Sequence, residues 1–294
     1  MRILFVGCVD SSYILLKKLL EIGADIVGVI TKKESKFNAD FTDVTPLCKE
    51  YNIDYLCVEN INDSKSIEFI HKCSPEIMYC FGWSQLIKDE VLKSIPYGGV
   101  GFHPAQLPNN RGRHPIIWAL VLGLEKTAST FFMMDGTADT GDIVAQKMVD
   151  IAYEDDARTL YDKIMKTAEQ QVVELWIQFE NDTVVRIEQE KKGGNTWRKR
   201  GIKDGEIDWR MASRSIYNLV RGLTKPYVGA HFIFDNREIK VWKVQEIISD
   251  SFKNIEPGKV ISKSKEGYID VKAGENIIRI LECEDIEIEV GEYL

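Results

Sequence analysis

The 294-residue sequence lacks the features that mark a membrane-spanning, disulfide-rich or disordered chain. It contains no run of about 18 apolar residues, which excludes an ordinary transmembrane helix. Its six cysteines form no Cys-x-x-Cys pair and stand at no zinc-like spacing from a histidine, which disfavours a structural zinc site or a disulfide framework. Eight prolines and 21 glycines are too few for a low-complexity chain. We therefore expect a globular protein with one large domain or two smaller ones.

Basic charge is also scarce. The chain has 46 acidic and 38 basic residues, a net charge of −8. This balance disfavours an extensive basic face for DNA or RNA, although local basic clusters remain at Lys32, Lys33 and Lys36 and within 191–203. The apolar run at the start of the chain is only a few residues long. It is typical of a buried first strand rather than a signal peptide, so we expect a cytoplasmic protein.

Strand-like and helix-like segments alternate through the first half of the chain. Short apolar runs occur at Arg2–Val6, Asp25–Ile30 and Ile77–Phe81, and between them Ser11–Ile22 and Lys65–His71 have helical periodicity. This alternation predicts a parallel sheet with helices on its faces. Ligands of such folds bind outside the carboxyl ends of the strands.

The last third of the chain has a different pattern. Residues 188–206 are polar and contain Gly193 and Gly194, which favours a linker. One helix at Ser213–Leu223 is followed by five short alternating runs with turn signals, which predict a small β-barrel or sandwich. We expect a first domain at 1–187, this linker, and a second domain at 207–294.

The densest cluster of unusual residues follows a strand end. His103 opens a loop that also contains His114, and a second loop at Asp135–Asp142 begins about 20 residues after the first loop ends. A histidine exchanges protons near neutral pH, and a neighbouring carboxylate increases its basicity. The residues alone fit either a general-base pair across two loops or a capping histidine beside a tight hairpin turn.

The spacing of residues across these loops resembles that of the folate-dependent formyltransferases, a family that includes methionyl-tRNA formyltransferase and nucleotide-sugar N-formyltransferases. The matching positions are His103-x-x-x-Leu107-Pro108-x-x-Arg111-Gly112-x-x-Pro115 and Ala138-Asp139-x-Gly141-x-Ile143, with further matches at Leu86–Leu92, Ile207–Trp209 and Pro226–Ala230. The likeness covers nearly the whole chain. It implies an α/β fold with a Rossmann-like, mostly parallel N-terminal formyltransferase domain, followed by a small OB-like β-barrel.

The resemblance implies transfer of a formyl group from 10-formyltetrahydrofolate to a primary amine, with no metal. It makes His103 the base and Asp139 the group that orients or polarises it. For the folate we expect contacts from Ser84, Gln85, Leu86, Ile87, Thr137, Ala138 and Asp139. For the acceptor substrate we expect contacts from Gly7, Cys8, Asp10, Ser11, Pro104, Gln106 and Arg111. An ordinary strand-to-helix turn is the alternative for the first folate segment. For Arg111, a structural tie to backbone carbonyls is favoured over contact with a phosphate.

One position departs from the family pattern. The family usually has an asparagine two residues before the histidine, and this chain has Gly101 there. Loss of one oxyanion donor costs roughly 100- to 1000-fold in rate. Either Gln106, Asn109 or Asn110 supplies the amide, or the glycine makes room for a different substrate or a water, or activity is weak or absent.

The charge of the C-terminal part separates the candidate acceptors. From Glu206 onward there are 16 acidic and 13 basic residues, and six carboxylates lie between 282 and 292. Such a surface is poor for RNA phosphates. We therefore favour a UDP- or dTDP-linked amino-deoxysugar, used for surface glycans such as lipopolysaccharide O-antigen. The alternatives are methionyl-tRNA and a catalytically impaired folate- or sugar-nucleotide-binding protein. From the sugar-acting relatives we expect a homodimer, and we expect no membrane partner.

Overall fold

The computed structural model describes residues 1–35, 40–190, 193–249 and 251–294. Lys36 of the basic cluster, and Lys191 and Lys192 of the expected linker, lie outside the described residues. The chain divides into two compact units. Unit 1 consists of Met1–Pro115, Thr127–Val149 and Asp162–Trp197, and unit 2 of Ile116–Lys126, Asp150–Tyr161 and Arg198–Leu294.

The core of unit 1 is a seven-stranded sheet. The strands of this part of the chain are β1 (Ile3–Val6), β2 (Ile26–Thr31), β3 (Tyr55–Cys57), β4 (Ile77–Cys80), β5 (Gly99–His103), the two-residue β6 (Arg111–Gly112), β7 (Lys126–Met133) and β8 (Ile143–Asp150). The sheet order is β3-β2-β1-β4-β5-β7-β8. The first five strands pair in parallel, whereas β5 and β7 pair antiparallel. The mostly parallel sheet expected from the sequence is thus confirmed.

The strands at the middle of this sheet are buried on both faces. All four residues of β1 have no exposed surface, and all four of β4 are buried. Parallel strands covered by helices read as continuous apolar runs, which is why the sequence pattern identified them. The helices between the strands are α1 (Asp10–Glu21), α2 (Thr45–Glu50), α3 (Ser64–Cys73), α4 (Asp89–Lys93), α5 (Pro115–Val121) and α6 (Ala157–Glu180).

Unit 2 contains a small antiparallel sheet. Helix α7 (Ser213–Leu223) precedes the sheet in the chain. The sheet strands are β10 (Ala230–Phe234), β11 (Arg237–Ile247), β12 (Val260–Lys263), β13 (Ile269–Lys272) and β14 (Ile277–Cys283). A short strand, β9 (Thr196–Trp197), comes earlier in the chain, at the end of unit 1. The strand order is β10-β11-β14-β13-β12, and all four pairings are antiparallel. Helix α7 buries Ile216, Leu219, Val220 and Leu223 in the same apolar cluster as the strands. The expected small β-rich C-terminal domain is confirmed.

The segment expected to be a linker is largely ordered against other parts of the chain. Gln189 is only 4% exposed. Strand β9 pairs in parallel with β6, and Ile202–Gly205 forms a turn of 3-10 helix. The proposed domain limits at 187 and 207 stay a proposal, because Ile116–Lys126 and Asp150–Tyr161, which precede residue 187, belong to unit 2. Among the described residues, no helix is both long and apolar enough to cross a membrane.

Candidate active site

The candidate site lies at the edge of the unit 1 sheet where parallel strands end. His103 is the last residue of β5, and Gly7 follows the end of β1. Strand β4 lies between them, so the two strand ends are separated by two strand spacings, about 10 Å. The sheet therefore brings the two sequence segments expected to meet the acceptor to one edge.

His103 has a different partner at each ring nitrogen. The side chain is buried, with Nε2 2.8 Å from the backbone oxygen of Asn110 and Nδ1 3.7 Å from Oδ2 of Asp139. A carbonyl oxygen can only accept a hydrogen bond, so Nε2 carries the proton of the neutral ring. Nδ1 is then the nitrogen that can take up a second proton, and it faces a carboxylate.

Asp139 is held by its backbone as well as its side chain. Its φ is +59°, in the left-handed region that aspartate tolerates better than most residues. Its Oδ2 accepts a hydrogen bond from the backbone N–H of Gly112 at 3.0 Å, and its side chain is 17% exposed. The loop around it closes on Asp135, whose carboxylate accepts hydrogen bonds from the backbone and hydroxyl of Thr137. The predicted His103–Asp139 pair is therefore assembled, with the carboxylate facing the ring.

Arg111 is turned toward protein groups. Its Nε lies 3.2 Å from the backbone oxygen of Asp139, and one terminal nitrogen donates to Oε1 of Gln189 at 2.8 Å. The other terminal nitrogen lies 3.5 Å from the backbone oxygen of Gly193. The geometry supports the tie to backbone carbonyls, and direct contact of Arg111 with the acceptor stays a prediction. Sequence reasoning missed Gln189, because one glutamine in a charged segment carries no periodic or motif signal.

Gly101, where the family usually has asparagine, lies opposite a phenylalanine on the neighbouring strand. Gly101 pairs with Phe132 in the β5–β7 register. A Cβ added to Gly101 would lie 2.6 Å from Cζ and 2.9 Å from Cε1 of the Phe132 ring. Alternate residues of a strand share a face, so Gly101 and His103 lie on the same side of β5. The ring of Phe132 thus fills space that a side chain at position 101 would need.

The loop after His103 is fastened by a second glutamine that the sequence analysis did not single out. Nε2 of Gln146, on β8, lies 3.0 Å from both the backbone oxygen of Leu107 and Oγ1 of Thr130. Thr130 in turn donates to the backbone oxygen of Ala105 at 2.7 Å. These bonds fix the loop in which the predicted substrate residues Pro104 and Gln106 are partly exposed.

The expected substrate residues after β1 are mostly buried. Gly7, Cys8 and Ser11 are buried, and Asp10, the first residue of α1, accepts a hydrogen bond from the Thr42 hydroxyl. Asp10 is therefore the most accessible of the four. Burial raises the pKa of the neighbouring Cys80 to about 12, so this thiol is protonated at neutral pH and is not a nucleophile.

The two segments expected to meet the folate lie next to each other. Ile87 is buried, whereas Ser84 and Leu86 are exposed, Leu86 to 59%. Gln85 is used within the protein: it accepts from the Ile61 backbone N–H at 3.0 Å and donates to Oδ1 of Asn60 at 2.8 Å.

The second segment, with Thr137 and Ala138 exposed, comes close to the first through Asp89. A Cβ added to Gly136 would collide with the Asp89 carboxylate at the start of α4. An exposed apolar side chain beside exposed residues of a neighbouring loop suits a flat heteroaromatic ligand with polar edges. Within the described part of the chain, no group of three or more His, Cys, Asp or Glu side chains could hold a metal ion.

Comparison with known proteins matches both parts of the chain. Residues 2–175 match the family model described as formyl transferase, and residues 202–289 match that of the formyl transferase C-terminal domain. The methionyl-tRNA formyltransferase of Caldanaerobacter subterraneus subsp. tengcongensis is 31% identical over 303 residues, covering 100% of this chain and 96% of that protein.

Solved structures with the same fold include sugar-acting enzymes. WlaRD, a sugar 3N-formyl transferase solved in the presence of dTDP and 5-N-formyl-THF, superposes with a TM-score of 0.70 at 19% identity, covering 98% of this chain and 99% of that one. The N-formyltransferase of Helicobacter canadensis, in complex with folinic acid and dTDP-3-aminofucose, has a TM-score of 0.70 at 17% identity, covering 95% and 97%. At these identities the likeness establishes the fold alone. The matches to both family models and the full-length relative at 31% identity show that this chain belongs to the formyl transferase family.

Proposed function

We propose that this protein transfers a formyl group from 10-formyltetrahydrofolate to the amine of a UDP- or dTDP-linked amino-deoxysugar, in the synthesis of surface glycans. The observation that carries the reaction is the pairing of His103 with Asp139 at the carboxyl edge of the sheet, with Nδ1 and Oδ2 3.7 Å apart. Both groups belong to unit 1, and each is fixed by a backbone hydrogen bond.

The proposed chemistry follows from the proton positions at His103. An amine that attacks the formyl carbon must lose a proton, and Nδ1 is the ring nitrogen that can receive it. The Asp139 carboxylate stabilises the resulting imidazolium, because opposite charges at this separation in a buried site attract strongly. The proton then passes to the departing nitrogen of the folate as the tetrahedral intermediate collapses. His103 thus acts first as base and then as acid.

The folate is assigned to the two adjoining segments at 84–87 and 137–139. Leu86 would pack against the pterin ring, and exposed backbone groups near Thr137 and Ala138 would bond its polar edge. The acceptor is assigned to the β1 and β5 ends, where Asp10, Pro104 and Gln106 are partly exposed.

The charge of unit 2 favours a sugar acceptor over tRNA. All six carboxylates between 282 and 292 are exposed. A protein that binds RNA gains affinity by neutralising phosphates with Lys and Arg, and this surface would repel them. A sugar nucleotide carries only two phosphates and does not need an extended basic surface.

Methionyl-tRNA is the second candidate acceptor. It is favoured by the 31% identity to a methionyl-tRNA formyltransferase over the full chain. Unit 2 also has basic residues near Trp118, since Arg198 and Arg200 lie 5.4 and 4.7 Å from its ring, although Arg198 is also paired with Asp204. A catalytically impaired protein that binds folate or a sugar nucleotide is the third candidate, favoured by the Phe132 ring beside Gly101.

The acceptor is tested by a mass-spectrometric endpoint assay. Purified protein is incubated with 10-formyltetrahydrofolate and, in parallel, with UDP-aminosugars, dTDP-aminosugars and charged initiator tRNA. We expect the mass of one sugar nucleotide to rise by about 28 Da, because replacing an amine hydrogen with a formyl group adds CO. We expect no formylated methionyl-tRNA. Formylation of the tRNA alone would overturn the sugar assignment. Folate binding without product would support the non-catalytic reading.

A further inference from the structure

Gln189, near the candidate site, has hydrogen-bond partners at both ends of its side-chain amide. The residue is 4% exposed. Nε2 lies 3.0 Å from the backbone oxygen of Asp139 and 2.6 Å from that of Gly141. Oε1 lies 2.8 Å from a terminal nitrogen of Arg111 and 3.3 Å from its Nε. Because carbonyls only accept and guanidinium only donates, these partners fix the orientation of the amide.

We propose that Gln189 is a positioning residue that holds the Asp139 carboxylate opposite His103. Its two N–H groups bond the backbone on both sides of Thr140, and so fix the turn in which Asp139 takes its left-handed φ of +59°. Arg111 bonds the same Asp139 oxygen and is itself aligned by Gln189. Gln189 bonds the backbone of Asp139 rather than its carboxylate, and the inference rests on the proposed function of His103 and Asp139.

The segment that contains Gln189 also holds the hydrogen-bond donor to the Asp139 carboxylate. Gly112, whose N–H bonds Oδ2 of Asp139, follows Arg111 in β6. Strand β6 is paired with β9 seven residues beyond Gln189. The 189–197 segment thus carries both the amide that holds the Asp139 backbone and the strand that holds the donor to its carboxylate. A segment whose composition is typical of a linker would therefore affect catalysis through the position of Asp139.

Two nearly isosteric substitutions test the amide: one changes its donor end alone, and the other removes both ends. Gln189→Glu keeps an oxygen for Arg111 but removes both donors and places a negative oxygen against two carbonyls. Gln189→Leu removes both ends. Displacement of a catalytic group by about 1 Å costs about 100-fold in rate. We expect kcat for formyl transfer to fall by about this factor in both variants.

A spectroscopic signal gives a readout that needs no acceptor. The chain has four histidines, so the ring nitrogens of His103 can be assigned by substituting each in turn in 15N-histidine-labelled protein. At fixed pH, we expect the Nδ1 resonance of His103 in Gln189→Glu and Gln189→Leu to move in the same direction as in Asp139→Asn. We expect the signals of His71 and His231 to stay at their wild-type positions.

The matched control is Gln171, another buried glutamine whose Nε2 donates to a backbone oxygen, that of Ser129 at 3.2 Å. We expect Gln171→Leu to lower the melting temperature without moving the His103 signals. Folded Gln189 variants with wild-type His103 signals would overturn the positioning role. If Gln189→Leu does not fold, the shorter Gln189→Asn gives the same comparison. If the wild-type protein shows no formyl transfer, the proposed function is refuted. The 15N signals of His103 still decide the role of Gln189 in that case.

Discussion

The two nitrogens of His103 are distinguished by the backbone around them. Asn110, at φ +64°, presents its carbonyl to Nε2, so the proton of the neutral ring is fixed there and Nδ1 is left to face Asp139. This arrangement makes the ring a proton acceptor on one defined side. The sequence motif placed His103 and Asp139 in one site, but the backbone oxygen that selects the tautomer has no signal in the residue letters.

The Gly101–Phe132 pair lies where the sequence departs from the family pattern. We predict that Gly101→Asn alone destabilises the protein, by about 1–3 kcal/mol, because the new side chain collides with the Phe132 ring. With Phe132→Ala in the same protein, the amide has room beside His103. We therefore expect the double variant to transfer formyl groups at least about tenfold faster than Phe132→Ala alone.

The measurement is thermal unfolding together with initial rates for wild type, both single variants and the double variant. Equal rates for the double variant and Phe132→Ala would show that position 101 does not face the reacting centre. A stable, fully active Gly101→Asn single variant would show that the Phe132 ring moves aside freely.

At the scale of elements, the sequence pattern was informative wherever burial follows a period. The parallel strands are continuous apolar runs, and α7 was expected and observed at Ser213–Leu223. The pattern missed β6 and β9, each two residues long, because a period cannot be read from two residues. It also missed Gln189 and Gln146, since such an amide is identified by its partners, and these lie 16 to 78 residues away in the chain.

The β13–β14 pair provides an element-scale prediction for stability. Asp270 and Arg279 are cross-strand partners, joined by hydrogen bonds of 2.7 and 2.9 Å, and Ser262 also donates to Asp270. Burial opposes ionisation of Asp270, but the hydrogen bonds from Arg279 and Ser262 outweigh it and hold the pKa of Asp270 below its ordinary value of 3.8. We predict that Asp270→Asn lowers the free energy of unfolding by about 2 kcal/mol at pH 7.

The pH dependence of this difference follows from the lowered pKa. The stabilising contribution is complete above pH 3.8 and is lost as the pH falls through the pKa of the folded state. Urea unfolding of wild type and Asp270→Asn at pH 7 and near pH 3 measures it. The exposed Lys72–Asp54 pair is the control, for which Asp54→Asn should change stability much less than Asp270→Asn does. An equal difference between wild type and Asp270→Asn at both pH values would contradict this account.

At the scale of the whole molecule, the two units have separate features that bear on the same reaction. Unit 1 contains the described site, with His103 and Asp139 held by its loops. Unit 2 has six exposed carboxylates at its end, and the proposal of a sugar acceptor rests on this charge. The family follows from matches along both parts of the chain, whereas the acceptor is a question of surface charge that a family match does not answer.

The central claim is that His103, paired with Asp139, accepts the proton in formyl transfer to a sugar nucleotide. It is tested most directly by following a 13C-formyl label from 10-formyltetrahydrofolate into a dTDP- or UDP-aminosugar. The label is compared among wild type, His103→Ala, Asp139→Asn and the exposed-surface control His71→Ala. We predict that label appears with wild type and His71→Ala, and that its rate falls by about 100- to 10,000-fold in the other two, which remain folded. Transfer at the wild-type rate by His103→Ala would contradict the account.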